Sequence, residues 1–225
     1  MRRALRVAGW IVLIVAAILA LAAATVATLA CWKAPRLVAD LERSGALPLD
    51  PATLPPTRIC VLLAVQDRTF FRHHGIGLLD GPPLHTTVTQ SICKGLFFRR
   101  FSPGPLRYRK LMLMVDAWAF DLRVPKQTQL RIFMNRAFLG NKNGAEVLGF
   151  KAAAKAYFGR GILDISDREY LALVSMLLAP NTYHVVHEPE VNRKRAQELE
   201  RRVAAACPPS CVEVPPHAPC GDASQ

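Results

Sequence analysis

The chain has 225 residues, 51% of them hydrophobic, which is enough for one domain with a packed core and one membrane segment. Lys and Arg number 29 against 17 Asp and Glu, leaving a formal charge of +12 and a pI near 9.9. That excess argues for anionic partners. A domain exported behind a membrane anchor would rarely meet nucleic acid, so lipid head groups and phosphorylated ligands are the ones to consider.

From Val7 to Trp32 no residue is charged, and about 20 apolar residues suffice to cross a bilayer. Arg2, Arg3 and Arg6 precede the run, so the positive-inside rule puts the N-terminus in the cytoplasm and the rest outside, in a bacterial periplasm. Ala22-Ala23-Ala24 would suit a cleaved signal peptide, but such a peptide has a shorter apolar core; an uncleaved anchor is favoured. Residues 33–56 carry Pro35, Pro48, Pro51, Pro55 and Pro56 and read as a linker, where a helix from Leu37 to Arg43 is too brief to assign from pattern.

Helices are expected at Ile59–Arg68, Thr86–Phe98, Leu106–Leu122, Gln127–Phe138, Val147–Phe158, Ser166–Leu178 and Asn192–Ala206. Ser166 with Glu169 three residues on forms a capping-box pattern. Gly75, Gly77, Gly81, Pro82 and Pro83 make 75–85 a loop. The fold class is all-α. Its organisation is a basic stub (1–6), an anchor (7–32), a linker (33–54), a domain (55–200) and a Pro/Cys-rich tail (201–225).

In an oxidising compartment Cys207, Cys211 and Cys220 invite a disulfide in the tail, and Cys60 could pair with Cys93. Cys207 and Cys211 lack the matching second pair of a zinc site, so no metal and no cofactor is expected.

Thr87, Gln90 and Lys94 lie at i, i+3 and i+7 and so share one helix face. Alone, that is an ordinary amphipathic helix with a solvated side. Lys94, Arg99, Arg100, Arg107, Arg109 and Lys110 crowd between positions 94 and 110. Such a cluster is a solvated face, a patch for anionic lipid, or a pyrophosphate cradle.

Four stretches together resemble the peptidoglycan glycosyltransferases (glycosyltransferase family 51), the lysozyme-like domains that polymerise lipid II. Gln66-Asp67-x-x-Phe70-x-x-His73-x-Gly75 follows the family's Glu-Asp-x-x-Phe-x-x-His-x-Gly. Thr86-Thr87-Val88-Thr89-Gln90-Ser91 and Lys94 follow the second motif, without its two Gly, its second Gln and its Asn. Arg109-Lys110 opens the third, Arg-Lys-x-x-Glu, with Leu113 at the Glu. The fourth runs from Lys126 through Leu130, Phe133 and Asn135 to Gly140, Gly149 and Tyr157-Phe158-Gly159-Arg160, and Glu169, Ala179-Pro180 and Arg193 match the closing region. The resemblance covers about residues 55–200. Asn135 is expected to cap a helix end.

The resemblance implies that Gln66 occupies the place of the general base. An amide cannot take a proton from an attacking hydroxyl near neutral pH. Asp67 and Asp116 are the candidate replacement carboxylates, with Asp121 further along. Asp67 follows Gln66 directly, so on a helix it points about 100° away, and Asp116 and Asp121 are expected to face solvent. For substrate binding the resemblance implies Thr87, Gln90, Lys94, Arg109 and Lys110, with His73 a structural hydrogen-bonding residue beside them. Only nineteen residues separate Gln66 from Thr86, where relatives carry a longer, mobile segment over the donor site. The implied partners are lipid II or another undecaprenyl-pyrophosphate-linked glycan, the membrane, and other cell-wall synthesis proteins. The function expected is a catalytically impaired glycosyltransferase that binds without turnover; the alternative is a divergent polymerase using Asp67 or Asp116.

Overall fold

The computed structural model describes residues 2–77, 86–98 and 108–206. Its first helix, α1, runs without a break from Arg2 to Arg43. It is the one helix among the described residues long and apolar enough to cross a membrane, with a mean hydropathy of 2.7 in its most apolar window and none of that window buried. The Pro-rich stretch read as a linker is therefore helical as far as Arg43, straight through Pro35. A proline inside a helix costs about 3 kcal/mol. Here its ring lies on the exposed side, while Ala30, Ala34, Val38 and Leu41, at helical spacing, pack on the domain and offset that cost.

Beyond α1 the chain stays folded. Leu47, Leu49 and Leu54 are buried in the main core. Asn135 holds this segment down: its side chain accepts from the Leu49 amide at 2.9 Å and donates to the Leu49 carbonyl at 2.7 Å, as a neighbouring strand would. It also donates to the Arg131 carbonyl one turn back; α5 is capped by Ala137, so Asn135 serves as a long-range clamp and not as the helix cap expected of it.

The domain is helical, as its pattern predicts: α2 (Pro56–Gln66), α3 (Val88–Phe97), α4 (Tyr108–Asp121), α5 (Lys126–Arg136), α6 (Phe150–Phe158), α7 (Asp167–Met176) and α8 (Pro189–Ala206). The Ser166 capping box forms as expected, with Ser166 and Glu169 each accepting from the other's backbone amide. Between α5 and α6 lies an antiparallel hairpin that periodicity missed, β1 (Phe138–Lys142) and β2 (Ala145–Leu148). Asn143 and Gly144 both adopt positive φ, 53° and 80°, the geometry of a two-residue turn between short strands. α3 packs between α4 and α5, α1 lies along α4, and α2 rests on α7 and α8.

That arrangement decides the cysteine pairing. Cys60 is disulfide-bonded, but Cys93 is a buried free thiol on the α4 side of α3, beside Asp116 and Asp121. The expected Cys60–Cys93 bond is not made, because α2 packs elsewhere. The tail cysteines lie outside the described residues.

Candidate functional site

α2 ends at Gln66, and Asp67 leaves the helix in an extended conformation. The Asp67 carboxylate accepts from the Val88 amide in the first turn of α3, at 2.9 Å, and lies 2.9 Å from His73 Nε2 through each oxygen. A carboxylate at a helix N-terminus meets the positive end of the dipole. Asp67 is thus a buried brace between α2 and α3, with both oxygens engaged. His73 is its structural partner, as expected, and turns an edge toward the Phe70 ring.

Thr87 and Gln90, implied as ligand contacts, are occupied otherwise. Thr87 caps α3, donating its hydroxyl to the Gly75 carbonyl at 2.7 Å and accepting from the Gln90 amide, while the Gln90 side chain accepts from the Thr87 amide. Both are buried, and neither lines the cleft described next. The Thr-x-x-Gln spacing is that of a capping box, and it forms here.

The cleft has a volume of about 570 Å³ and two walls. α2 and α3 supply Gln66, Ser91, Ile92, Lys94 and Leu96; α5 and the hairpin supply Phe133, Arg136, Phe138, Glu146 and Leu148. Gln66 donates its amide to the Thr86 carbonyl at 3.2 Å, and Lys94 donates to the Thr86 hydroxyl at 3.3 Å. An ionised carboxylate at position 66 could not make the first bond and would face a carbonyl oxygen instead. Burial, and secondarily the neighbouring Lys110, lower the pKa of Lys94; burial alone lowers that of Lys110. Two cations held close and partly desolvated favour an anion between them. The structure therefore brings Gln66 and Lys94 together at the cleft, with Lys110 close enough to act on Lys94 but not among the lining residues. Arg109 is partly exposed near the start of α4, and Arg99, Arg100 and Arg107 lie outside the described residues.

α4 overturns two expectations. Asp116 and Asp121 do not face solvent. Asp121 pairs with Lys126 at 2.6 Å and accepts from Gln129 at 2.8 Å. Asp116 is buried near Lys33 of α1 and does not line the cleft. Desolvation, opposed by Lys33, pushes the Asp116 pKa up to about 6 from 3.8. Because the folded value is the higher one, ionised Asp116 weakens the fold at neutral pH, and the loss is recovered as pH falls from about 6 toward 4. Asp116→Asn should raise the melting temperature at pH 7.5, with the gain vanishing near pH 4. A lower melting temperature at pH 7.5 would contradict this placement. Leu113, at the position of the family's second Glu, is fully buried in the core.

Sequence reasoning missed Ser91, Arg136 and Glu146 as cleft residues. The Asn143-Gly144 turn could have revealed the last, since it folds β2 back beside the end of α5.

These helices, with Gln66 and Lys94 lining the cleft at the end of α2, form an all-α domain of the lysozyme-like class. The family model described as Transglycosylase matches residues 86–204, more than half of the chain, and the chain belongs to that family. It is similar to Penicillin-binding protein 1B of Haemophilus influenzae, 30% identical over 187 residues, covering 75% of this chain and 22% of the relative. Penicillin-binding protein 1B of Escherichia coli is 29% identical over 154 residues, covering 63% and 18%. Penicillin-binding protein 1A of Streptococcus oralis is 26% identical over 172 residues, covering 71% and 26%. The chain spans about a fifth to a quarter of the length of these relatives.

Proposed function

We propose that the protein is a membrane-anchored peptidoglycan glycosyltransferase-like domain on the periplasmic face of a bacterial inner membrane. It binds lipid II, or another undecaprenyl-pyrophosphate-linked glycan, without efficient turnover. The observation that carries this reading is an amide, Gln66, lining the cleft beside Lys94, its side chain held to the Thr86 carbonyl. In the family's reaction a carboxylate removes a proton from the attacking sugar hydroxyl. General-base help is worth roughly 10²–10⁴ in rate, or about 3–5 kcal/mol of barrier. Gln66 cannot give it, and the proposed substitutes Asp67 and Asp116 are buried in other contacts. Glu146 is exposed, on the wall formed by α5 and the hairpin. Lys94 and Lys110 remain to grip a diphosphate, which suits a protein that holds the ligand or presents it to cell-wall enzymes.

Purified full-length protein in detergent, given fluorescent lipid II, should bind it and form no polymer. Lys94→Ala should weaken binding about tenfold, the size expected for one charge-assisted contact. Polymer formed by the unmodified protein would instead establish a divergent polymerase. Affinity unchanged by Lys94→Ala would mean that the basic face serves the membrane alone.

A further inference from the structure

The wall opposite Gln66 carries two charges with no task in the fold. Arg136 closes α5 and Glu146 stands on β2; both are exposed and both line the cleft. Among the described residues neither side chain makes a hydrogen bond or an ion pair, unlike Lys94, Asp67 and Asp121. The hairpin register explains why they do not neutralise each other. Phe138 pairs with Leu148 and Asn141 with Glu146, so Glu146 lies toward the turn while Arg136, two residues before Phe138, lies toward the helix. They are therefore set apart along one wall, not opposite each other. Glu146 and Leu148, two apart on a strand, share the cleft-facing side.

A diphosphate and neutral sugars would use Lys94 and Lys110 but have no call for Glu146, whose carboxylate repels phosphate. A ligand that also carries separate cationic and anionic groups would match the pair on this wall. The geometry points to a peptide-recognition subsite on the wall formed by α5 and the hairpin. There Glu146 receives the ammonium group, and Arg136 the carboxylate, of a short peptide carried by the same glycan whose diphosphate Lys94 holds. This rests on the ligand being a lipid-linked glycan. It adds that the protein distinguishes glycan bearing its peptide from bare glycan.

The test measures affinity of full-length protein in detergent for two probes: lipid II with its peptide intact, and the same lipid-linked disaccharide diphosphate without the peptide. The intact probe should bind about tenfold tighter, since each exposed charge contact is worth up to about fivefold. Glu146→Gln and Arg136→Gln should each reduce that preference severalfold, read as the ratio of the two probes' affinities within each variant. Acetylating the peptide's amine should mimic Glu146→Gln and add nothing to it. Both side chains are exposed, so folded variants are expected, with matching melting temperatures as the control. Equal affinity for the two probes would overturn the subsite while leaving glycan binding intact. Failure to bind either probe would overturn the glycan reading and the subsite with it.

Discussion

Placing a glutamate at position 113 should unfold the domain, not revive a lost reaction. By motif this is where the family's second Glu falls, so Leu113→Glu with Gln66→Glu looks like a route to restoring activity. The structure places Leu113 in the core with none of its surface exposed, alongside Ala117 and Phe120 on the same face of α4. Removing a buried leucine costs about 2–5 kcal/mol before any charge is counted. A carboxyl there adds desolvation, whether it stays ionised or is forced to hold its proton. Leu113→Glu should therefore lose about 4 kcal/mol or more, read as a collapse of the cooperative thermal transition. A variant melting within a few degrees of the parent would show that α4 can turn position 113 toward the cleft. Gln66→Glu alone should fold. Its new carboxylate would lose the bond to the Thr86 carbonyl and still lack a second acid.

Gly149→Ala should be nearly as damaging, for a backbone reason. Gly149 precedes α6 with φ 81° and ψ 157°, a region that side-chain-bearing residues hardly enter. A β-carbon there would lie 2.4 Å from the Asn135 carbonyl oxygen and 2.6 Å from its carbon, and neither can yield as a flexible side chain could. The glycine lets the end of β2 close on the end of α5, its amide donating to the Ala137 carbonyl at 2.8 Å. Strain and collision together should cost about 3 kcal/mol or more. The readout is a lower melting temperature together with weaker lipid II binding, because the wall carrying Arg136 and Glu146 would be displaced. An alanine variant with parental stability would show that the approach is looser than the structure has it.

The helices were legible because their cues are local: apolar spacing, the Ser166 capping box, and Gly or Pro at their ends. The hairpin was hidden from periodicity because its strands are only five and four residues long, although Asn143-Gly144 marked its turn. Gln66 and Lys94, singled out by residue type, line the cleft. Thr87, Gln90 and Asp67 sit in the bonds that start α3, since the residues that could grip a ligand are also those that start a helix, and only packing shows which contacts they make. Pattern likewise could not show that the Asp116 and Asp121 side chains are buried, because the residues around them, Lys33 on α1 and Lys126 and Gln129 on α5, come from other helices.

The unbroken first helix has a consequence for reach. Its 42 residues extend about 63 Å at 1.5 Å each, roughly twice the thickness of a bilayer's hydrocarbon layer. The outer portion is clasped by α4, with the Cys31 thiol against the Ala119 carbonyl at 3.4 Å. A domain mounted on such a stiff mast cannot swivel as one on a floppy tether would. Where α1 crosses a bilayer, the cleft would turn and tilt with that helix instead of taking headings independent of it.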